Sequence, residues 1–126
     1  MSDETRSLTR LLSLLCLASC WGYAATWSGN LVDTRCFQNM EDNHNLDESS
    51  AVRDLNLELR VCTPKLNTHF FTIVLPDGTS ARLDSAGNAR AAELVRQTKP
   101  KAPLYVNVKG EMTNKTIAVN TVTPAP

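Results

Sequence analysis

The chain has 126 residues, 42% of them hydrophobic, and its 13 Lys and Arg balance 13 Asp and Glu to a net charge of zero. The length supports one small domain, and the zero net charge leaves no excess of either sign over the chain as a whole. Both observations turn attention from bulk electrostatics to local patterns.

Met1 to Arg10 is polar and carries Arg6 and Arg10, and the run that follows, LLSLLCLASCWGYAA, is apolar and ends in small residues. This is the outline of an export signal. The run contains Ser13, Ser19 and Gly22 and falls short of the roughly 20 apolar residues that a membrane-spanning helix needs. Two maturation routes fit. A cut after Ala24 gives a signal peptide over 1–24 and a periplasmic or secreted domain over 25–126. Alternatively LASC, Leu17 to Cys20, resembles the lipobox of bacterial lipoproteins, which makes Cys20 the lipidated first residue of an outer-membrane lipoprotein.

TWSGNLVD, from Thr26 to Asp33, predicts a first strand with Trp27, Gly29 and Leu31 on one side and Ser28, Asn30 and Val32 on the other. It runs into Cys36. With Cys16 and Cys20 in the leader, Cys36 and Cys62 remain as a pair, and a pair in an exported chain reads first as a disulfide. Closing a loop of about 26 residues stabilises a small domain by about 3–4 kcal/mol in the chain-entropy model. A metal ligand and a redox-active thiol are the other roles open to these cysteines.

The connection from Phe37 to Val61 is acidic. From Asp33 to Leu59 seven acidic residues face Arg35 and Arg53 alone, whereas from Arg60 onward nine basic residues face four acidic ones. Two signs that attract within one fold account for that division. The second half, AVRDLNLELRVC, alternates like a strand but also repeats Ala51, Leu55 and Leu59 at helical spacing, and its good helix formers favour a helix.

HFFTIVL predicts the most hydrophobic strand, with Phe71, Ile73 and Leu75 on one face and Phe70, Thr72 and Val74 on the other. Pro76-Asp-Gly-Thr79 predicts a turn, and SARLD a returning strand. From Ser85 the period becomes helical: Ala91, Leu94 and Val95 share a stripe, Ser85 or Asn88 is available as N-cap, and KPKAP ends the helix. PLYVNVKG and KTIAVNTV are two further strands, with EMTN as the loop between them and TVTPAP as a frayed tail. The expected fold is therefore mostly β with one helix, a small five-stranded OB-like barrel in β-β-β-α-β-β order.

The set WSGNLVDTRC, CTP, F-x-I-x-L-P-D-G, L-D-x-x-G-N-x-x-A-A-E and V-x-V-x-G-E resembles a group of small exported bacterial proteins, and the likeness spans Thr26 to Val122. The resemblance implies an exported barrel and brings no catalytic or binding residue with it. The segment between the cysteines is longer and more acidic here than in that group.

Few constellations carry chemistry. Cys36, His44, Cys62 and His69 can in principle hold zinc, but they lack the short Cys-x-x-Cys knuckle. EDNHNLDES, Glu41 to Ser49, gathers oxygen donors without the glycine of a calcium loop and reads as a solvated acidic stretch. Lys65, Arg82, Lys101, Lys109 and Tyr105 offer a basic surface of the kind that binds single strands, but export removes the protein from nucleic acid. The sequon at Asn114 carries little weight in a bacterium.

The expectation is an exported, non-catalytic binding or structural module of the bacterial cell envelope, stapled through Cys36 and Cys62 and needing no cofactor. Its partner is a protein, a glycan or a small ligand, with no nucleic acid, and with a membrane only if Cys20 is lipidated. The alternative is an extracytoplasmic metal-binding or thiol-redox protein that uses Cys36, Cys62, His44 and His69.

Overall fold

Period-2 alternation becomes strand in five places, and the strands close on one another. The computed structural model describes residues 24–46 and 55–126; residues 1–23, with the expected signal and Cys20, and residues 47–54 lie outside the described residues. The elements in chain order are β1 (Ala25–Asp33), α1 (Thr34–Leu46), α2 (Leu55–Val61), β2 (Phe71–Val74), β3 (Ser80–Leu83), α3 (Ser85–Thr98), β4 (Leu104–Thr113) and β5 (Thr116–Pro124).

Around the closed barrel the strands run β1-β2-β3-β5-β4, and β4 returns to β1. Every pairing is antiparallel except the short one between β3 and β5, which is parallel. β1 serves two neighbours in succession: Ala25 to Leu31 face β4, and Asn30 to Asp33 face β2. The handover needs Gly29, because a Cβ there would lie 2.3 Å from the Val74 carbonyl oxygen.

Leu31, Phe71, Ile73, Leu83, Val106, Val108 and Ile117 fill the barrel, and α3 adds Ala91, Leu94 and Val95. A second cluster lies on the outside. Val32 from β1 and Val74 from β2 point outward and are covered by Phe37 of α1, by Leu59 of α2 and by Cys62. That cover corrects the expectation of a single helix. The connection after β1 contains two helices, so β2 buries all four of its residues rather than one face. The helical reading of the stretch ending at Val61 holds over Leu55–Val61.

Other local expectations shift for identifiable reasons. Neither Ser85 nor Asn88 caps α3. Asp84 does, its Oδ1 accepting from the Gly87 amide at 2.8 Å and from the Val119 amide at 3.2 Å, so one carboxylate ties the helix start to β5. Asn88 is left to accept the Phe71 amide. Lys99 ends the helix in the left-handed region, its amide bonded to the Val95 carbonyl. The β4–β5 loop is not EMTN but the two residues Asn114 and Lys115, at φ 50° and 61°, which give the twist of a tight hairpin. Glu111, Met112 and Thr113 are strand. The tail is not frayed as far as Pro124, which pairs with Val106, and the Ala125 amide bonds to the Tyr105 carbonyl.

Candidate functional site

The spacing Asp33-x-x-Cys36 is a helix start. Asp33 ends β1, and its Oδ1 accepts the Cys36 amide at 3.0 Å, capping α1. Its Oδ2 accepts the Thr68 hydroxyl at 2.8 Å, and its amide donates to the Cys62 carbonyl at 2.9 Å. The Cys36 and Cys62 sulfurs stand at disulfide-bonding distance, 2.09 Å. One residue and one bond therefore hold the first turn of α1, the end of α2 and the approach to β2 together. Cys62 is only 1% exposed, so its sulfur is shielded from an attacking thiolate. A recess of about 440 Å3 lies beside this junction, lined by Met40, Val61 and Lys65 among others, but Asp33 at its wall is already committed to internal bonds.

The outer surface of the strands makes a second feature. Register places Thr72 beside Val32, Arg82 beside Thr72 and Thr116 beside Arg82, a row of outward side chains across four strands. α1 stands over one end of that row, where the Thr34 and Thr72 hydroxyls share a hydrogen bond of 2.8 Å. The Asn114–Lys115 turn stands at the other end. Two cavities, of about 360 and about 260 Å3, share Gln38 and Arg82 as lining residues and form one groove between helix and turn.

The groove is cationic. Arg35, Arg82 and Lys115 line it, Glu41 is its single acidic lining residue among the described residues, and none of the three cations has an ion-pair partner among those residues. Phe70, 68% exposed, stands at the mouth beside Arg35. Its backbone is pinned, since its carbonyl accepts the Thr34 amide at 3.0 Å. Gln38, Ser80 and Thr116 supply amide and hydroxyl groups along the floor and walls, while the buried Thr72 hydroxyl is taken by Thr34.

The sequence-derived sets map unevenly onto this geometry. His69 is exposed, His44 falls in the last turns of α1 with its side chain outside the described residues, and no three metal-capable side chains converge among the described residues. Glu41 and Asp42 are helical, and Asp47, Glu48 and Ser49 lie outside the described residues. Of the five residues read as a basic surface, Arg82 alone lines the groove; Lys65 lies beside the disulfide, and Lys101, Lys109 and Tyr105 line neither groove cavity. Sequence reasoning missed Arg35, Gln38, Phe70 and Lys115. Lys115 was hidden by misplacing the hairpin, and Arg35 and Gln38 by leaving the start of the connection without structure; the capping signal of Asp33 would have found both.

No helix among the described residues is long and apolar enough to cross a membrane. Comparison of the chain with protein-family models, curated proteins and solved structures returns no match.

Proposed function

We propose that this protein is an exported, non-catalytic binding module of the bacterial cell envelope, with an OB-like barrel as scaffold and the groove between α1 and the β4–β5 turn as its binding site. The observation that carries the reading is the groove itself: three cations without ion-pair partners among the described residues, one open aromatic ring, and a floor fixed by strand register. The order β1-β2-β3-β5-β4, with a helix between the third and fourth strands of the chain, supports the OB-like reading, and folds of that type bind along the second and third strands. Fold analogy alone assigns no function, so the weight rests on the groove.

Export is supported by the leader's pattern and by a cysteine pair at bonding distance, which suits an oxidising compartment. Backbone amide NMR tests the binding site. Titration with a panel of envelope-relevant small molecules, sugars and peptides is expected to move the amides of Gln38, Thr72, Arg82 and Lys115; ligands that move only other surfaces refute the groove. Intact mass before and after thiol alkylation tests the compartment. A start at Ala25 with alkylation only after reduction supports the soluble exported form, an acyl mass at Cys20 supports the lipoprotein, and an uncut leader refutes export.

A further inference from the structure

The chemistry of the groove narrows its ligand. We propose that it binds an acidic oligosaccharide, whose carboxylates pair with Arg35, Arg82 and Lys115 while one sugar ring rests on Phe70; this rests on the groove being the binding site. Three kinds of anionic ligand compete for such a surface, and the structure separates them.

An extended acidic peptide is favoured where a strand edge is free to pair with it. Here β2 is paired on both sides and β3 pairs with β5 at Arg82 and Leu83, so the groove floor leaves only Ser80 and Ala81 without a strand neighbour, a stretch too short to seat an added strand. A single-stranded nucleic acid is held by successive aromatic rings that stack successive bases along a basic track. The groove has one open ring, Phe70, where a run of bases needs several. An acidic sugar needs what is present: a single apolar platform for one ring's C–H face, guanidinium forks for carboxylates, and amide and hydroxyl groups for its own hydroxyls.

The cations are spaced to address more than one residue of such a ligand. Arg35 and Phe70 lie in the cavity at the start of α1, Lys115 in the cavity at the hairpin turn, and Arg82 lines both. A ligand running along the groove therefore meets the ring and a first cation, then the shared Arg82, then Lys115. The two cavities, at about 260 and about 360 Å3, are each of the size that holds a small ligand unit.

The test uses the protein expressed from its full coding sequence, followed by amide NMR and calorimetry with four probes: a galacturonic-acid trisaccharide, the neutral galactose trisaccharide of the same linkage, hexaglutamate and a short oligothymidylate. The acidic sugar is expected to shift groove amides and to weaken as ionic strength rises from about 0.05 to about 0.5 M. Arg82→Gln is expected to weaken it about tenfold, the loss of a charge-assisted contact. Phe70→Ala is expected to weaken it several-fold, while Arg90→Gln, an exposed cation on α3, leaves it unchanged. Equal binding of the neutral sugar overturns the proposal and leaves the groove reading standing. Tighter binding of hexaglutamate or oligothymidylate at the same amides does likewise. Absence of any shift with the acidic sugar overturns it as well, and the groove reading falls with it only if the broader panel also leaves Gln38, Thr72, Arg82 and Lys115 unmoved.

Discussion

The carboxylate of Asp33 and the hydroxyl of Thr68 meet at 2.8 Å across 35 residues of chain, while the other oxygen of the same carboxylate caps α1. Asp33→Ala removes both bonds. The expected loss is about 2–3 kcal/mol, an N-cap of about 1 kcal/mol plus a charge-assisted bond of about 1.5 kcal/mol. Asp33→Asn keeps one acceptor and is expected to lose about half as much. Urea unfolding of both variants and of Thr68→Val measures the difference, and additive losses for Asp33→Ala and Thr68→Val would contradict a shared bond.

The disulfide encloses 26 residues of separation that include both helices of the connection. Replacing Cys36 and Cys62 together by Ser is expected to cost about 3–4 kcal/mol at equilibrium. Val32 and Val74 lie beneath the same helices, so hydrogen exchange in the double variant is expected to rise first over α1 and α2. Uniform loss of protection across the barrel would mean that the helices and barrel unfold as one unit.

Gly29 sits where the chain leaves β4 for β2, and the atom a Cβ would meet is a backbone carbonyl oxygen, which cannot swing aside. Gly29→Ala is therefore expected to destabilise by about 1–3 kcal/mol, the range for an overpacked site. Thermal unfolding is sufficient to read it.

Lys115 pairs a groove charge with a left-handed backbone, at φ 61°. Lys115→Gly relieves that conformation and is expected to stabilise the fold by about 0.5–1 kcal/mol, the left-handed cost of a residue with a Cβ less the added freedom of glycine in the unfolded chain. The same change removes a cation from the groove. Stability and ligand affinity are expected to move in opposite directions, which a melting curve and a titration on one sample can show.

Two surface carboxyls set a direction for acid behaviour. The Arg96 guanidinium, by hydrogen bond first and charge second, holds Glu93 below its ordinary range, and the Thr79 hydroxyl and then its amide do the same for Asp77. A folded-state value below the unfolded one means stability that is present above the unfolded value and lost as pH falls through the folded one. The melting temperature is expected to drop between about pH 5 and about pH 3, and the double variant Asp77→Asn, Glu93→Gln to show a shallower drop over that window.

Local patterns carried most of the barrel. Alternation marked four strands, Pro76-Asp-Gly marked the turn that returns the chain as the fifth, with Gly78 at φ 87°, and the stripe of Ala91, Leu94 and Val95 marked α3. What escaped depends on partners distant in sequence. Thr72 and Val74 share the second face of their strand, and nothing in FTIV announces that α1 and α2 cover that face through Phe37 and Leu59. The hairpin was misread because Asn114-Lys115 lacks glycine, the usual bearer of positive φ. The groove was invisible for a different reason: it draws Arg35, Arg82 and Lys115 from three separate elements, and register together with the lie of α1 brings them to one face.

The parallel contact between β3 and β5 consists of Arg82 beside Thr116 and Leu83 beside Ile117, and the Arg82 amide donates to the Lys115 carbonyl at 2.9 Å. A cylinder joined along so short a seam has a preferred place to part, and two of the three groove cations sit on its opposite lips. A ligand that grips both side chains, as proposed, is expected to act as a clasp over that seam and to slow hydrogen exchange at the Arg82 amide.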